Sequence, residues 1–423
     1  MARLIIKGGK KLKGTWRLSG NKNEALPLIA ASLLFKNGLS LANVPDIEDV
    51  KVMIKIASQL GVRITTKKNI LSFVPSVYSK KDVLDLPPEL ASKIRTSLLF
   101  LGPLLALCGK AVIPAAGGDK IGFRKIDAHL ETFLAFGAKI SGNKIILPVE
   151  AYHQKKPILV WLPEPSVTAT ENALILATAR PFKTIIKNAA SEPHVVGLGQ
   201  AFQEAGAKIT GLGTNLIEVV GTENFKKVNR TINEDHMELG SALVISAISD
   251  GRVRVRSNSG ENYKIIFNAF RNFRKKIIKN GSNYRAVDDK NNNTGGIKTL
   301  SDDPWPSFPT DLMSVMIVLA TQCQGQFLFH EKMFESRLYF TDQLKTLGAQ
   351  LVLCDPHRVL IVGPVQLKGA RLVTPDIRAG MALVIAALAA EGISIIENIE
   401  QLDRGYENIA GKLRQIGADI KRE

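Results

Sequence analysis

The sequence predicts an α/β protein of two lobes, each holding three copies of one unit. Three observations carry that expectation: a length of 423 residues, a phrase that recurs six times, and glycine at a fixed point of the phrase. A chain this long exceeds what one ordinary core organises, so two or three domains are expected. The phrase is a helix rich in small apolar residues, a short strand, an amphipathic helix, then Gly-Ala or Gly-Val leading into another strand. Its period of about 70 residues is longer than the roughly 20 to 50 of solenoid repeats. Six copies therefore point to two globular lobes.

The first copy runs through 25–34, the strand 39–44, the helix 46–60 and the strand 61–64. In 46–60, Val50, Met53, Ile54, Ala57 and Leu60 recur every three or four residues and share one face. Gly61 follows as the C-terminal stop. Later copies pair 101–113 with 130–140, 171–186 with 195–209, 239–255 with 263–278, 311–329 with 338–351, and 380–396 with 406–420. Glycine closes the amphipathic helix at 61, 137, 206, 348 and 417, while the fourth copy carries Lys275-Lys276 there. In 271–279, Phe273, Ile277 and Ile278 fall at helical spacing with cations between them, which predicts a solvated helix face. Breaks in the pattern at 19–22 and 229–235 place one lobe at 1–21 plus 234–423 and the other at 22–233. The second lobe is expected to carry the loop 115–126. Two crossings make a double hinge, which suits a cleft that closes on its ligand. The polar run 288–296 reads as a plain loop.

With 45% hydrophobic and 22% charged residues, the composition is that of a soluble globular protein. No apolar run reaches the roughly 20 residues that span a bilayer, and the amino end is too short for a secretory signal. A cytoplasmic location is expected. Cys108, Cys323 and Cys354 stand apart in apolar or strand-like surroundings, which argues against a disulfide framework and against zinc. No metal or cofactor is expected. Lys and Arg number 56 against 39 Asp and Glu, a formal charge of +17. Such an excess suits a polyanion or a small, highly charged anionic substrate.

In the stretch 116–129, Gly117, Gly118 and Gly122 surround Asp119, with Lys120, Arg124 and Lys125 close by and a helix starting near Asp127. Glycine permits close backbone approach to a ligand, and free N–H groups at a helix start can join a guanidinium in holding an anion. Asp119 is the tip residue able to exchange a proton. The stretch reads as a mobile active-site loop, and equally as a solvated surface turn.

Ser19-Gly-Asn-Lys-Asn-Glu-Ala-Leu-Pro27, followed by an apolar helix, resembles the opening motif of the bacterial UDP-N-acetylglucosamine enolpyruvyl transferases. Further motifs of that family appear in order: Ile94-Arg-Thr-Ser97 with Leu101-Gly-Pro103, Gly117-Gly-Asp-Lys-Ile-Gly-Phe-Arg124, Pro165-Ser-Val-Thr-Ala-Thr170, Phe308-Pro-Thr-Asp311, Phe334-Glu-Ser-Arg337, Asp376-Ile-Arg378 and Asp403-Arg-Gly-Tyr406. The resemblance spans essentially the whole chain. It implies a two-lobed inside-out α/β barrel, six βαβαββ repeats with three per lobe, helices inside and sheets outside. It implies transfer of the enolpyruvyl group of phosphoenolpyruvate to the sugar 3-hydroxyl with release of phosphate, the first committed step of peptidoglycan synthesis. It also implies a monomer that uses two small-molecule substrates, with no nucleic acid and no membrane.

By the same resemblance, Lys22, Arg124 and Arg404 hold the phosphate end of phosphoenolpyruvate, Arg378 meets its carboxylate and Arg95 faces the nucleotide. Asn23, Arg124, Lys125, Ile126, Asp127, Ala128, Pro165, Ser166, Val167 and Met333 are the remaining substrate contacts. Two carboxylates divide the proton transfers: Asp311 resembles the base on the sugar hydroxyl, and Asp119 stands where the family usually has cysteine. Lys22 joins them in the catalytic set. A carboxyl group at the loop tip implies insensitivity to the thiol-alkylating epoxide fosfomycin, and activity that falls as pH rises through the neutral range. His236 stands where the family more often has arginine and is expected to be a hinge-region hydrogen bonder. Two other readings stand beside this one: transfer to shikimate 3-phosphate, and a basic nucleic-acid-binding protein.

Overall fold

The computed structural model describes residues 2–78, 84–115, 117–119, 121–152, 156–291 and 296–423. Ala116, Lys120 and the middle of the predicted loop 288–296 thus lie outside the described residues. The chain divides into two compact units. The first comprises Met1–Ser19, Asp119–Phe123 and Glu234–Glu423, and the second Gly20–Gly118 and Arg124–Asn233.

Among the described residues there are six sheets, five of four strands and one of three. The four-stranded sheets share one plan, a parallel pair followed by two antiparallel pairings. In the first unit Arg371–Val373 runs parallel to Ile393–Glu397, which pairs antiparallel with Arg3–Lys7, and that strand pairs antiparallel with Asp419–Arg422. Gly14–Arg17 beside Val253–Arg256 begins a second such sheet, and Lys298–Ser301 beside Gly325–His330 a third. In the second unit the parallel pairs are Val228–Thr231 with Leu39–Ala42 and Ile158–Trp161 with Lys183–Lys187. The three-stranded sheet holds Lys110–Val112, Lys144–Ile146 and Lys139–Ser141.

The helices that begin each phrase are apolar almost all round, and such helices must be buried on every side. In the first unit His236–Ile248, Met313–Thr321 and Ile377–Ala389 pack on one another and are buried along nearly their whole length. In the second unit Lys22–Ala31, Leu101–Cys108 and Val167–Thr178 take that place. Each unit has one contiguous apolar core between these helices and the inner faces of its sheets.

Three of these helices start from an Asx cap. Asn21 accepts from the N–H groups of Asn23 and Glu24, Asp235 from Met237 and Glu238, and Asp376 from Arg378 and Ala379. Such caps are worth about 1 kcal/mol each. They also fix the direction of the first helical turn, which carries Lys22 in one case and Arg378 in another.

Three expectations need correction. Residues 271–279 are not a helix: a 3₁₀ turn ends at Phe273, Arg274 adopts φ 54°, and Lys275–Asn280 forms an antiparallel hairpin with Asn283–Asp288. Arg274 takes the left-handed position that Gly61, Gly137, Gly206, Gly348 and Gly417 occupy in the other copies, all with φ between 86° and 110°. An L-residue there costs about 1–2 kcal/mol, and the carbonyl of Arg274 accepts from the Asp289 N–H at 2.8 Å. Cys354 is exposed, unlike Cys108 and Cys323, because in the edge strand Gln350–Asp355 its side chain shares the solvent face with Gln350 and Val352. The loop does not remain wholly with residues 22–233: Asp119–Phe123 groups with the first unit. There Phe123 N–H donates to Glu335 Oε1 at 2.8 Å and Ser336 N–H to the Ile121 carbonyl at 3.2 Å.

Candidate active site

In the first unit the predicted acids and cations meet in pairs. Asp311 sits in the 3₁₀ turn Thr310–Leu312 that leads into Met313–Thr321. Its Oδ2 accepts from Arg378 Nε at 2.8 Å and its Oδ1 from Arg337 Nη2 at 3.2 Å. The two arginine side chains are 8% and 3% exposed, so this carboxylate is their chief solvent substitute. Arg378 also donates to the Tyr406 hydroxyl at 3.3 Å and lies over its ring. Burial pushes the Tyr406 hydroxyl up, and Arg378 pulls it partly back.

Asp119 is held by Arg404, whose Nη1 lies 2.5 Å from Asp119 Oδ1 and 2.9 Å from Gln401 Oε1. Burial first, and Asp119 among the charges, raises the carboxyl of the cap residue Asp376. Met333 stays 41% exposed while its N–H is tied to Glu331. Glu331 is fully buried and also accepts from Thr310 Oγ1 at 2.9 Å. Burial, with Asp302 beside it, pushes the Glu331 carboxyl up to about 8.

In the second unit Lys22 is buried and forms an ion pair with Asp49 at 2.6 Å, while Asn23 lies in the capped first turn. Arg95 Nη2 donates to the Lys125 carbonyl at 2.6 Å. Burial, then the like charge of Arg124, lowers Arg95 to about 10, and Glu164 offsets this only in part. Both side chains border Gly118, at φ 108°, where a Cβ would stand 3.2 Å from Arg95 Cβ and 3.8 Å from Arg124 Nη1, and two like charges on one side favour an anion there.

Lys125, Ile126, Asp127 and Ala128 form the start of the helix Asp127–Ala135, and Pro165, Ser166 and Val167 that of Val167–Thr178. Neither start has a side-chain cap bond, so both present N–H groups suited to phosphate. His129 ties the two helices together, with Nε2 2.9 Å from Thr168 Oγ1 and Nδ1 3.0 Å from Asn172 Nδ2. Because Asn172 donates to Nδ1, the proton is on Nε2. Burial lowers this imidazole to about 3.

A family model described as EPSP synthase (3-phosphoshikimate 1-carboxyvinyltransferase) matches residues 6–413. The UDP-N-acetylglucosamine 1-carboxyvinyltransferase of Bradyrhizobium diazoefficiens is 42% identical, over 99% of this chain and 97% of that protein. The protein of the same name from Treponema denticola is also 42% identical, over 100% and 99%. The chain belongs to the UDP-N-acetylglucosamine 1-carboxyvinyltransferase family. Its fold is the enolpyruvyl transferase fold. The solved enolpyruvyl transferase NikO of Streptomyces tendae superposes with a TM-score of 0.85 at 21% identity, covering 100% of this chain and 98% of that one. An EPSP synthase of Acinetobacter baumannii superposes at 0.72 and 16% identity, covering 100% of both chains.

Among the described residues no cluster of His, Cys, Asp and Glu is arranged to hold a metal, and no helix is long and apolar enough to cross a membrane. Arg337 and Tyr406 stood inside recognised motifs without a role; both now contact Asp311 or Arg378. Glu331, Asp302 and Asp49 carried no local signal, because their partners are distant in sequence. His236 is buried and stacked on Tyr263 with ring centroids 4.9 Å apart and Trp305 edge-on. Burial, then Arg378, lowers it to about 4, so at neutral pH it does not replace an arginine charge.

Proposed function

We propose that this chain transfers the enolpyruvyl group of phosphoenolpyruvate to the 3-hydroxyl of UDP-N-acetylglucosamine and releases phosphate. It thereby commits material to peptidoglycan synthesis and so to cell-wall growth, shape and division. The observation that carries the reading is Asp311 clamped between the buried guanidinium groups of Arg337 and Arg378, in a chain whose full-length relatives bear the transferase name.

Asp311 takes the proton of the sugar 3-hydroxyl as the oxygen bonds to the central carbon of phosphoenolpyruvate, and Asp119 delivers a proton to the methylene carbon. The carboxylate left on Asp119 then takes back one methyl proton as phosphate departs with the proton that Asp311 had accepted, which restores the enol ether and both acids, so atoms and charge balance. Lys22, Arg124 and Arg404 neutralise the phosphate and Arg378 the carboxylate, interactions that strengthen as water is excluded. Arg95 meets the diphosphate, while Asn23, Lys125 to Ala128, Pro165 to Val167 and Met333 orient the sugar nucleotide. The enzyme works in the cytoplasm as a monomer on two small-molecule substrates.

The test is phosphate release from phosphoenolpyruvate with UDP-N-acetylglucosamine or shikimate 3-phosphate as acceptor. Turnover with the sugar nucleotide and formation of its enolpyruvyl ether are expected. Turnover with shikimate 3-phosphate alone would transfer the reading to the sibling reaction.

A further inference from the structure

Glu331 follows the strand Gly325–His330 and is fully buried. Its Oε1 accepts the N–H groups of Met333 at 3.2 Å and Phe334 at 3.1 Å. Thr310 Oγ1 is 2.9 Å from each carboxyl oxygen, and Arg337 Nε is 3.6 Å from Oε2. Asp302, equally buried, accepts the Lys332 N–H at 2.6 Å through Oδ1. Its N–H donates to the His330 carbonyl at 3.3 Å, so Asp302 is bonded to both residues that flank Glu331, and its Oδ2 is buried without a donor among the described groups. Two acceptor-only carboxylates buried at the ends of two paired strands, one of them with an oxygen that lacks a described donor, favour a proton held between them.

We propose that Glu331 and Asp302 are a proton-sharing pair that positions Asp311 and Met333 toward the acceptor sugar, so that losing the shared proton weakens acceptor binding. This rests on the reading above that Asp311 and Met333 meet the sugar nucleotide. Both are reached directly from the pair: the Thr310 hydroxyl anchors the turn of Asp311, and the Met333 N–H ends on Glu331. While Glu331 is protonated and neutral, the charge of Arg337 is left to Asp311. Once ionised, Glu331 competes with Asp311 for Arg337 and repels Asp302.

Among the described residues, Arg337, His330, Lys332, Asp303, His357 and Glu335 are charged or titratable groups near the pair. Arg337 favours the ionised form of Glu331, whereas burial and Asp302 oppose it and prevail. Asp303 is occupied by Lys332 at 2.7 Å. His357 Nδ1 lies 2.6 Å from the Glu331 carbonyl, away from its carboxyl, and Glu335 accepts from the Phe123 N–H. Glu331 and Asp302 are positioning residues, since neither is proposed to touch substrate.

The experiment measures the Kd of UDP-N-acetylglucosamine alone, by calorimetry, from about pH 6.5 to 9. Leaving out phosphoenolpyruvate removes the proton demand on Asp119. For the wild type we expect Kd to rise about fivefold or more across that range, the size of coupling found between residues in one network. In Glu331→Gln the amide donates to Asp302 at every pH, and in Asp302→Asn the donor comes from the other side. Both variants should show less than about a twofold change. Glu331→Gln, or Asp302→Asn if the first does not fold, retaining the wild-type slope overturns the inference. So does a wild-type Kd that is constant with pH. Wild-type protein that turns over the sugar nucleotide but binds it without pH dependence sinks the pair alone. Wild-type protein that binds none at any pH sinks the functional reading itself.

Discussion

Replacing Asp311 with Asn preserves the shape of the side chain while removing the charge that Arg378 and Arg337 share at 2.8 and 3.2 Å. A positioned general base contributes about 10²–10⁴-fold to rate, equal to roughly 3–5 kcal/mol at about 1.4 kcal/mol per decade. The fall should appear in kcat, because the proton is accepted in the transition state. Stability changes less: Arg378 keeps the Tyr406 hydroxyl, and Asp311 itself is 27% exposed, so water takes over part of the lost contact. We expect about 1–2 kcal/mol of destabilisation, seen as a Tm about 2–8 °C lower. Single-turnover phosphate release with saturating UDP-N-acetylglucosamine reads the first effect and a thermal melt the second. A variant whose kcat stays within about threefold of wild type would remove Asp311 from the role of base.

Three further outcomes are expected. Asp119→Asn should lower turnover by about 10²-fold or more, whereas Asp119→Cys should retain turnover and gain time-dependent inactivation by fosfomycin; a covalent adduct on wild-type Asp119 by mass spectrometry would contradict this. Gly122→Ala puts a Cβ 2.3 Å from Glu335 Oε2 at φ 136°, a strain of about 1–3 kcal/mol, so activity should drop and Tm should fall by about 2–12 °C; wild-type activity would show the Glu335 contact to be dispensable. His129 and His236 are lowered to about 3 and about 4. Above about pH 6.5 both are neutral folded and unfolded, but below it only the unfolded chain takes up protons. Stability should therefore fall with acidification at up to about 1.4 kcal/mol per pH unit per histidine, and denaturant titrations of His236→Phe should lose about half that slope.

Much of the fold was legible because it rests on short-range signals. Apolar helices such as Ile377–Ala389 announce burial through composition, and glycine after an amphipathic helix announces a left-handed stop. Where Arg274 supplies that backbone conformation, the signal vanished, and the chance spacing of Phe273 and Ile277 read as a helix across a hairpin. The site was legible by residue type, since Asp311, Arg378, Asp119 and Arg404 stand in motifs. Their pairing was not: Arg404 to Asp119 spans 285 positions and Arg378 to Asp311 spans 67. Asp49 beside Lys22 and Asp302 beside Glu331 were invisible for the same reason, because no periodicity encodes which buried charges end up in contact.

With an aspartate at the tip of the loop, the chain carries no thiol where its chemistry is proposed to occur. Cys108 and Cys323 are buried, and Cys354 faces solvent on an edge strand. A maleimide dye added to the native protein meets one accessible thiol, Cys354, whereas peroxide also meets the exposed thioether of Met333. A fluorophore on Cys354 would mark the first unit at a residue outside the proposed contacts, and the oxidisable sulfur within those contacts is the thioether of Met333 rather than a thiol.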